Sequence, residues 1–373
     1  MVLLYVFDHE MLMRGIIENV KSLIWTRRYW SCGDFKLLVP FTERNVDLLK
    51  KDRLILKRGD DEAAEIRYVN IRKNLQGSEE IEVQGRFITG WIGKRIIRHQ
   101  IVTNDNTQNI LTRIVAENIT DAAAAPRRIP NVYIEGVPDL GSGVIDYASE
   151  PFINALLGCE NAAKAAKLGF RIWTDVKQRR HYFRVYKGCD LTSDQAVNAP
   201  CIFSQEFDNI LAQEYTNSIE NFRTTAYVGG EDIPGGAARQ VVEAGSAAAG
   251  LERDEVFINA TDLTQTYKDS AGNDVTMTLP QYINVLTQRG NAELEHFAET
   301  LGFSSKVNTH SNLKYKADYD LGDRVTCVNR RWGLKINVRI TEIAEIYQEN
   351  IDEIDITFGE SLPALIDVLR QII

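Results

Sequence analysis

What the sequence lacks narrows its reading first. Its five cysteines, Cys32, Cys159, Cys189, Cys201 and Cys327, are odd in number and no two lie at C-x-x-C spacing. That speaks against a disulfide framework and against a cysteine zinc site. Reduced thiols in a protein assembled in the cytoplasm are expected. The five histidines (His9, His99, His181, His296, His310) contain no metal-binding pair, because Glu295–His296 has no second histidine four residues away. They are expected at surfaces or interfaces. There is no G-x-S-x-G elbow, no Walker A loop and no G-x-G-x-x-G following a strand. Long apolar runs are also missing. No stretch approaches the roughly 18 residues of a membrane helix. Val2–Phe7 is too short for a signal core and has no basic region before it. The chain is therefore expected neither to span a membrane nor to leave the cell by the common route. Positive charge is the last shortage: 43 Lys and Arg against 52 Asp and Glu give a net charge of −9. A phosphate-neutralising surplus is absent, so no sequence-specific nucleic-acid partner is expected. The local basic runs Arg27–Arg28, Lys94–Arg98 and Lys177–Arg180 read as solvated faces.

What is present is an ordinary globular composition, 44% hydrophobic and 25% charged over 373 residues. That length can hold two or three compact units. The first hundred residues alternate short runs rich in Val, Ile, Trp, Tyr and Phe with turn signals, as in Glu79–Gln84, and predict a small antiparallel barrel. Asn45–Lys50 reads as one helical turn. Asn106–Ile119 predicts a capped helix with Ile110, Leu111, Ile114, Val115 and Ile119 on one face. Pro151–Leu168 predicts a second helix, with Gly169 as its C-terminal cap. Phe170–Asp175 and His181–Lys187 predict a hairpin. Residues 228–250 shift towards Gly, Pro and Ala and read as an exposed loop. Pro280–Leu301 is the clearest helix, interrupted at Gly290 and ended by Gly302. Strands are expected again over Lys306–Lys314, Arg324–Asn329, Lys335–Ile346 and Ile351–Phe358, then a short helix over Leu362–Ile372. The order lacks regular β-α-β alternation, which argues against a doubly wound parallel sheet.

Two acidic clusters invite chemistry. Asp318, Asp320 and Asp323 fall short of a calcium loop after the second carboxylate. Gly322 is better read as a turn glycine and Asp323 as a side chain that accepts from nearby backbone N–H groups. Glu349, Asp352, Glu353 and Asp355 could supply paired carboxylates. The intervening Ile351, Ile354 and Ile356 fit a half-exposed strand instead.

Two stretches bear a resemblance. Ser22–Pro40 places Trp25, then Arg28-Tyr29, then Gly33-x-Phe35-x-Leu37 and finally Pro40. Tyr315–Thr326 places a tyrosine, an acidic turn through Asp320, and Leu321-Gly322-Asp323-x-Val325 entering a strand, with Phe358-Gly359 closing. In order and spacing they resemble the tail-hub and tail-associated proteins of siphoviruses. The resemblance implies a β-rich α+β fold with two small antiparallel β-barrel domains and mixed α/β insertions. It implies a first barrel over 1–100, a mixed tip-side domain over 101–200, a split second barrel over 201–230 and 303–360, a helical insertion over 231–302 and a C-terminal helix over 361–373. It further implies a non-enzymatic homotrimer with no cofactor and no metal site. Three subunits would form a pseudo-sixfold ring at the virion tail tip that closes the channel until genome ejection. The implied partners are distal tail or tail-tube proteins, the tape-measure C-terminus, and a tip spike, fibre or receptor-binding protein. Any enzyme or fibre would then be a separate polypeptide. Trp25, Tyr29, Gly33, Phe35, Pro40, Tyr315, Asp320, Gly322 and Asp323 are the residues that bear the resemblance, and candidates for subunit interfaces. The competing expectations are a tail-associated cell-wall hydrolase, with Asp352 or Glu353 in the cleft, and a carbohydrate (receptor) binding protein.

Overall fold

The computed structural model describes residues 2–73, 77–232, 239–268, 272–348 and 351–359. The expected C-terminal helix lies outside them. So do parts of the turns expected at 75–78 and 269–274, part of the loop at 228–250, and Glu349.

The N-terminal region runs β1 (Leu4–Phe7), β2 (Met13–Ile17), β3 (Ser22–Arg28), β4 (Asp34–Pro40), α1 (Glu43–Leu48), β5 (Leu54–Lys57), β6 (Ala63–Lys73) and β7 (Glu79–Phe87). A mixed region follows with β8 (Val102–Asn106), α2 (Thr107–Ile119), β9 (Val132–Ile134), β10 (Val144–Ala148), α3 (Ala155–Ala166), β11 (Gly169–Asp175) and β12 (Arg180–Tyr186). Next come β13 (Ile202–Ser204), β14 (Ile210–Ser218), β15 (Thr225–Gly229), β16 (Val241–Gly245), β17 (Glu255–Asn259), β18 (Thr266–Lys268), β19 (Asp274–Thr276) and α4 (Leu279–Leu294). The chain then passes through β20 (Thr300–Val307), β21 (Arg324–Asn329), β22 (Leu334–Gln348) and β23 (Ile351–Gly359).

Thirteen of these strands share one sheet. Its order is β14-β20-β23-β22-β3-β4-β7-β6-β5-β1-β2, with β21 on β22 and β13 on β21. Alternation drives it: Ile81, Val83 and Phe87 of β7 and Leu23 and Trp25 of β3 are buried at every second position. The splice between the two ends of the chain is β22. Its first residues pair with β21, while Glu342–Gln348 pair with β3 on one side and β23 on the other. The β-rich α+β expectation holds. Among the described residues the strands close no barrel, and β2, β13 and β14 each pair with one strand only.

Three cores result. The largest lies under β1–β7 and extends to α2, α3, β11 and β12. A second is built from β13, β14 and β20–β23 around Phe203, Phe303 and Phe358. The third packs α4 on the small sheet β16-β15-β17.

The helices start where side chains cap them. Asn106 accepts from Asn109 N–H at 2.8 Å, as its position predicts. The helix expected from Pro151 begins later, at Ala155. There Asn154 accepts the N–H groups of Leu156 and Leu157, and Phe152 just upstream is held at φ 60°. It ends with Lys167 in the left-handed region, and Gly169 opens β11 instead of capping. Thr278 and Gln281 form a capping box that starts α4 at Leu279. Gly290 does not interrupt it. A Cβ there would lie 2.6 Å from Ala244 and Val228, so the glycine lets the helix sit directly on β15 and β16. The helix stops at Leu294, seven residues short of expectation.

Candidate functional site at the junction of the two ends

Where β3 meets β22, charged side chains fill the interior. Arg27 on β3, expected as part of a solvated basic run, is buried. Its Nε donates to Glu62 Oε1 at 3.0 Å, and its Nη1 donates to Tyr315 Oη at 2.8 Å and Asp320 Oδ1 at 2.9 Å. Arg171, from β11, reaches Asp61 at 3.1 Å and Glu62 at 3.4 Å. A second limb centres on Asp60, which accepts from Trp25 Nε1 at 3.0 Å and lies 3.3 Å from Lys316 and 3.5 Å from Lys57. Lys57 also pairs with Glu345 on β22 at 2.6 Å, and Tyr347 donates to the same carboxylate at 2.5 Å. The N-terminal, middle and C-terminal parts of the chain are thus tied by one ionic network.

Its electrostatics are divided. Burial alone would raise the Asp60 carboxyl, but Arg27, Lys316 and Lys57 hold it well below the usual carboxylate range. At Glu62 burial outweighs the attraction of Arg27 and Arg171, and its pKa sits above the ordinary value. Buried pairs of this kind add little net stability but strongly penalise arrangements that separate the partners. The network therefore ties β3, the β5–β6 turn and β11 to the segment around Tyr315–Asp320 and to β22.

The residues that bear the resemblance fall into this junction and the cores beside it. Trp25 and Phe35 are buried together in the first core with Phe87, ring centroids 5.8 and 4.7 Å from Trp25. Gly33 lies in the β3–β4 turn, and its carbonyl accepts from Phe87 N–H at 3.0 Å. Tyr29 is fully buried in the second core, edge-on to Tyr186 at 5.3 Å and beneath the Arg339 guanidinium at 5.1 Å. Gly322, at φ +95°, passes over the Tyr29 ring so closely that a Cβ would lie 2.3 Å from it. Asp323 accepts from Asp320 N–H at 2.8 Å and Cys189 N–H at 2.7 Å, the backbone-bonding role its turn position predicts. Tyr315 and Asp320 sit on Arg27. Pro40 stands apart, at the far end of β4, where its carbonyl accepts from Asn45.

Lys57, Asp60, Glu62, Arg171, Glu345 and Tyr347 were not anticipated. Charged residues in strands and in the β5–β6 turn look like exposed positions, and only the three-dimensional pairing reveals them as interior.

The other chemical candidates have separate fates. Asp318 accepts from Lys314 N–H at 2.7 Å. Glu353 on β23 pairs with Lys306 at 2.6 Å. His181 is buried, contrary to the surface expectation, with Nδ1 3.0 Å from Thr174 Oγ1. Metal-ligating atoms gather, among the described residues, at His9, Asp52 and Glu65 within 4.8 Å of one another. Glu65 is already bound there by Lys94 at 2.6 Å and Arg67 at 2.9 Å. A cavity of about 220 Å³ opens between β10, α3 and α4, lined by Tyr147, Ala162, Arg289, Glu150 and Glu293. Burial raises both of those glutamates. Arg289 pairs with Glu150 at 3.3 Å and Asp262 at 3.2 Å.

The architecture is that of phage tail proteins. A 43 kDa tail protein of prophage MuSo2 from Shewanella oneidensis aligns over 96% of this chain and 98% of its own, with a TM-score of 0.59 at 13% identity. A tail protein from Neisseria meningitidis MC58 aligns over 96% and 97%, TM-score 0.56 at 12% identity. Prophage tail protein gp18 from Listeria monocytogenes EGD-e aligns over 99% and 98%, TM-score 0.54 at 10% identity. No curated relative matches the chain. The chain belongs to the family of Siphovirus ReqiPepy6 Gp37-like proteins, whose model matches residues 3–360. The resemblance read from Ser22–Pro40 and Tyr315–Thr326 is borne out at that level.

Proposed function

We propose that this chain is a structural, non-enzymatic protein of a phage-type tail, acting as the hub at the tail tip. The observation that supports it best is the junction: two β-rich ends of one polypeptide, each with its own core, tied together by the Arg27 and Asp60 networks. Two such units per chain let three copies present six similar surfaces. A trimer could then join a sixfold tube to a threefold tip and close the channel until genome ejection. In this reading the units correspond to the two small barrels expected from sequence, residues 1–100 and the split 201–230 with 303–360. The segments 101–200 and 231–302 are insertions between them.

Contacts around the ring are heterologous, and such contacts close when the rotation between copies divides the circle. The singly paired strands β2, β13 and β14 favour this arrangement, because an unpaired strand edge is a template for another chain. Above and below the ring the partners are distal tail or tail-tube proteins, the tape-measure C-terminus, and a spike, fibre or receptor-binding protein. Light scattering on the purified chain tests the reading. A particle of three times the 42.2 kDa chain mass, appearing as a ring with an open centre in electron micrographs, is expected. A monomer at high concentration, or a closed assembly of another number, overturns it.

A further inference from the structure

A second surface has a different character. The loop 94–98 and the loop 151–155 are laced together by main-chain bonds, and the short turn Ala125–Arg127 lies against them. Ile97 N–H donates to Ile153 O at 2.9 Å, Phe152 N–H to Ile97 O at 2.8 Å, and Ala155 N–H to Arg95 O at 2.9 Å. Arginines brace the same assembly: Arg95 Nε donates to Arg127 O at 2.9 Å, and Arg127 Nη2 to Ile96 O and Asn118 Oδ1, both at 2.6 Å. These bonds bring Arg95, Arg98 and Arg127 together, with Arg128 adjoining in the chain.

In a chain of net charge −9 these four arginines are a local concentration of positive charge. Among the described residues no carboxylate forms an ion pair with any of the four, although most other arginines of the chain are paired. Burial lowers the Arg127 pKa, and the positive charges of Arg98 and Arg95 lower it further. Like charges held together without relief are a standing electrostatic cost, which an anionic partner would remove.

The rim of the cluster is apolar. Phe152 is 68% exposed, Ile96 42% and Leu157 40%. Phe152 is also held at φ 60°, a left-handed backbone that a bulky side chain adopts at an energetic cost. An aromatic ring displayed to solvent on a strained backbone, beside unpaired arginines, has the composition of a binding hot spot.

We infer that the surface formed by Arg95, Arg98, Arg127 and Phe152 docks an acidic polypeptide segment that also bears apolar side chains. The apolar rim favours a peptide over a bare polyanion, because phosphate or polycarboxylate alone leaves Phe152, Ile96 and Leu157 in water.

The test uses the full chain and three probes: a fluorescent peptide of alternating glutamate and leucine, polyglutamate, and double-stranded DNA. Saturable peptide binding is expected, with polyglutamate and DNA weaker by about tenfold or more. Arg98→Glu changes an exposed side chain and should weaken the peptide by about tenfold. Phe152→Gly should weaken it similarly while leaving the melting temperature unchanged or raised, since glycine accepts the positive φ. DNA binding as tightly as the peptide, peptide binding indifferent to Phe152→Gly, or no binding of any probe overturns the inference. So does self-association that Phe152→Gly abolishes without peptide binding, which would assign the surface to a second copy of the chain.

Discussion

Arg27 shows how single residues set this molecule's geometry. Replacing it with leucine leaves Glu62 and Asp320 without their shared cation and weakens the restraint on Asp60. The expected loss is about 3–5 kcal/mol, read from chemical denaturation. Adding Glu62→Leu should recover part of that loss, because a buried carboxylate left with only the longer Arg171 contact is then removed. His181 gives a pH signature in a different window. Burial lowers its pKa from 6.5 to about 4, and the neighbouring charge of His9 adds to the shift. Below pH 6.5 the unfolded chain takes up a proton that the folded chain refuses, so stability falls as pH drops from 6.5 towards 4 and then levels. The size is at most about 3 kcal/mol. His181→Phe should flatten the melting temperature over that window. Asp60, with its folded pKa depressed, contributes stability above the ordinary carboxylate range and loses it only at lower pH. At this scale the sequence was partly legible. The turn roles of Gly322 and Asp323 were readable, because the positive φ and the bond from Asp320 N–H are local; their contacts with Tyr29 and Cys189 were not. Arg27 was not, because its partners Glu62 and Asp320 lie 35 and 293 residues away.

At the level of elements, Gly290 tests how α4 is seated. Glycine to alanine in an exposed helix stabilises by about 1 kcal/mol. Here the new methyl would meet Ala244 and Val228 at 2.6 Å. Gly290→Ala should therefore destabilise, by about 1–3 kcal/mol, as overpacking does. A raised melting temperature would contradict the packing of α4 on β15 and β16. The sequence suggested a break at this position because glycine is a poor helix former, and the close approach that requires it comes from Val228 and Ala244 on strands far earlier in the chain. Helix starts were more legible than helix ends. Asn106 caps through its own side chain, whereas α3 begins late because the chain at Phe152 is tied to the 94–98 loop. Strand existence was largely readable from alternation, as in β7. The pairing of β22 with β3 was not, since both strands satisfy the same pattern and many partners would fit it.

For the whole molecule, the long strand β22 carries a cost in time. Its partner β3 is distant in the sequence: the bond between Arg28 and Glu342 spans 314 residues. A ribosome delivers β3 long before β22. Throughout that interval the edge of β3, with Trp25 and Leu23 along it, has no neighbour on one side, and such an edge recruits whatever strand arrives first. Closing so large a loop is also slow. The nascent chain therefore depends on protection of one strand edge until β22 emerges, and crowded synthesis of many copies is the condition under which the wrong strand would be captured.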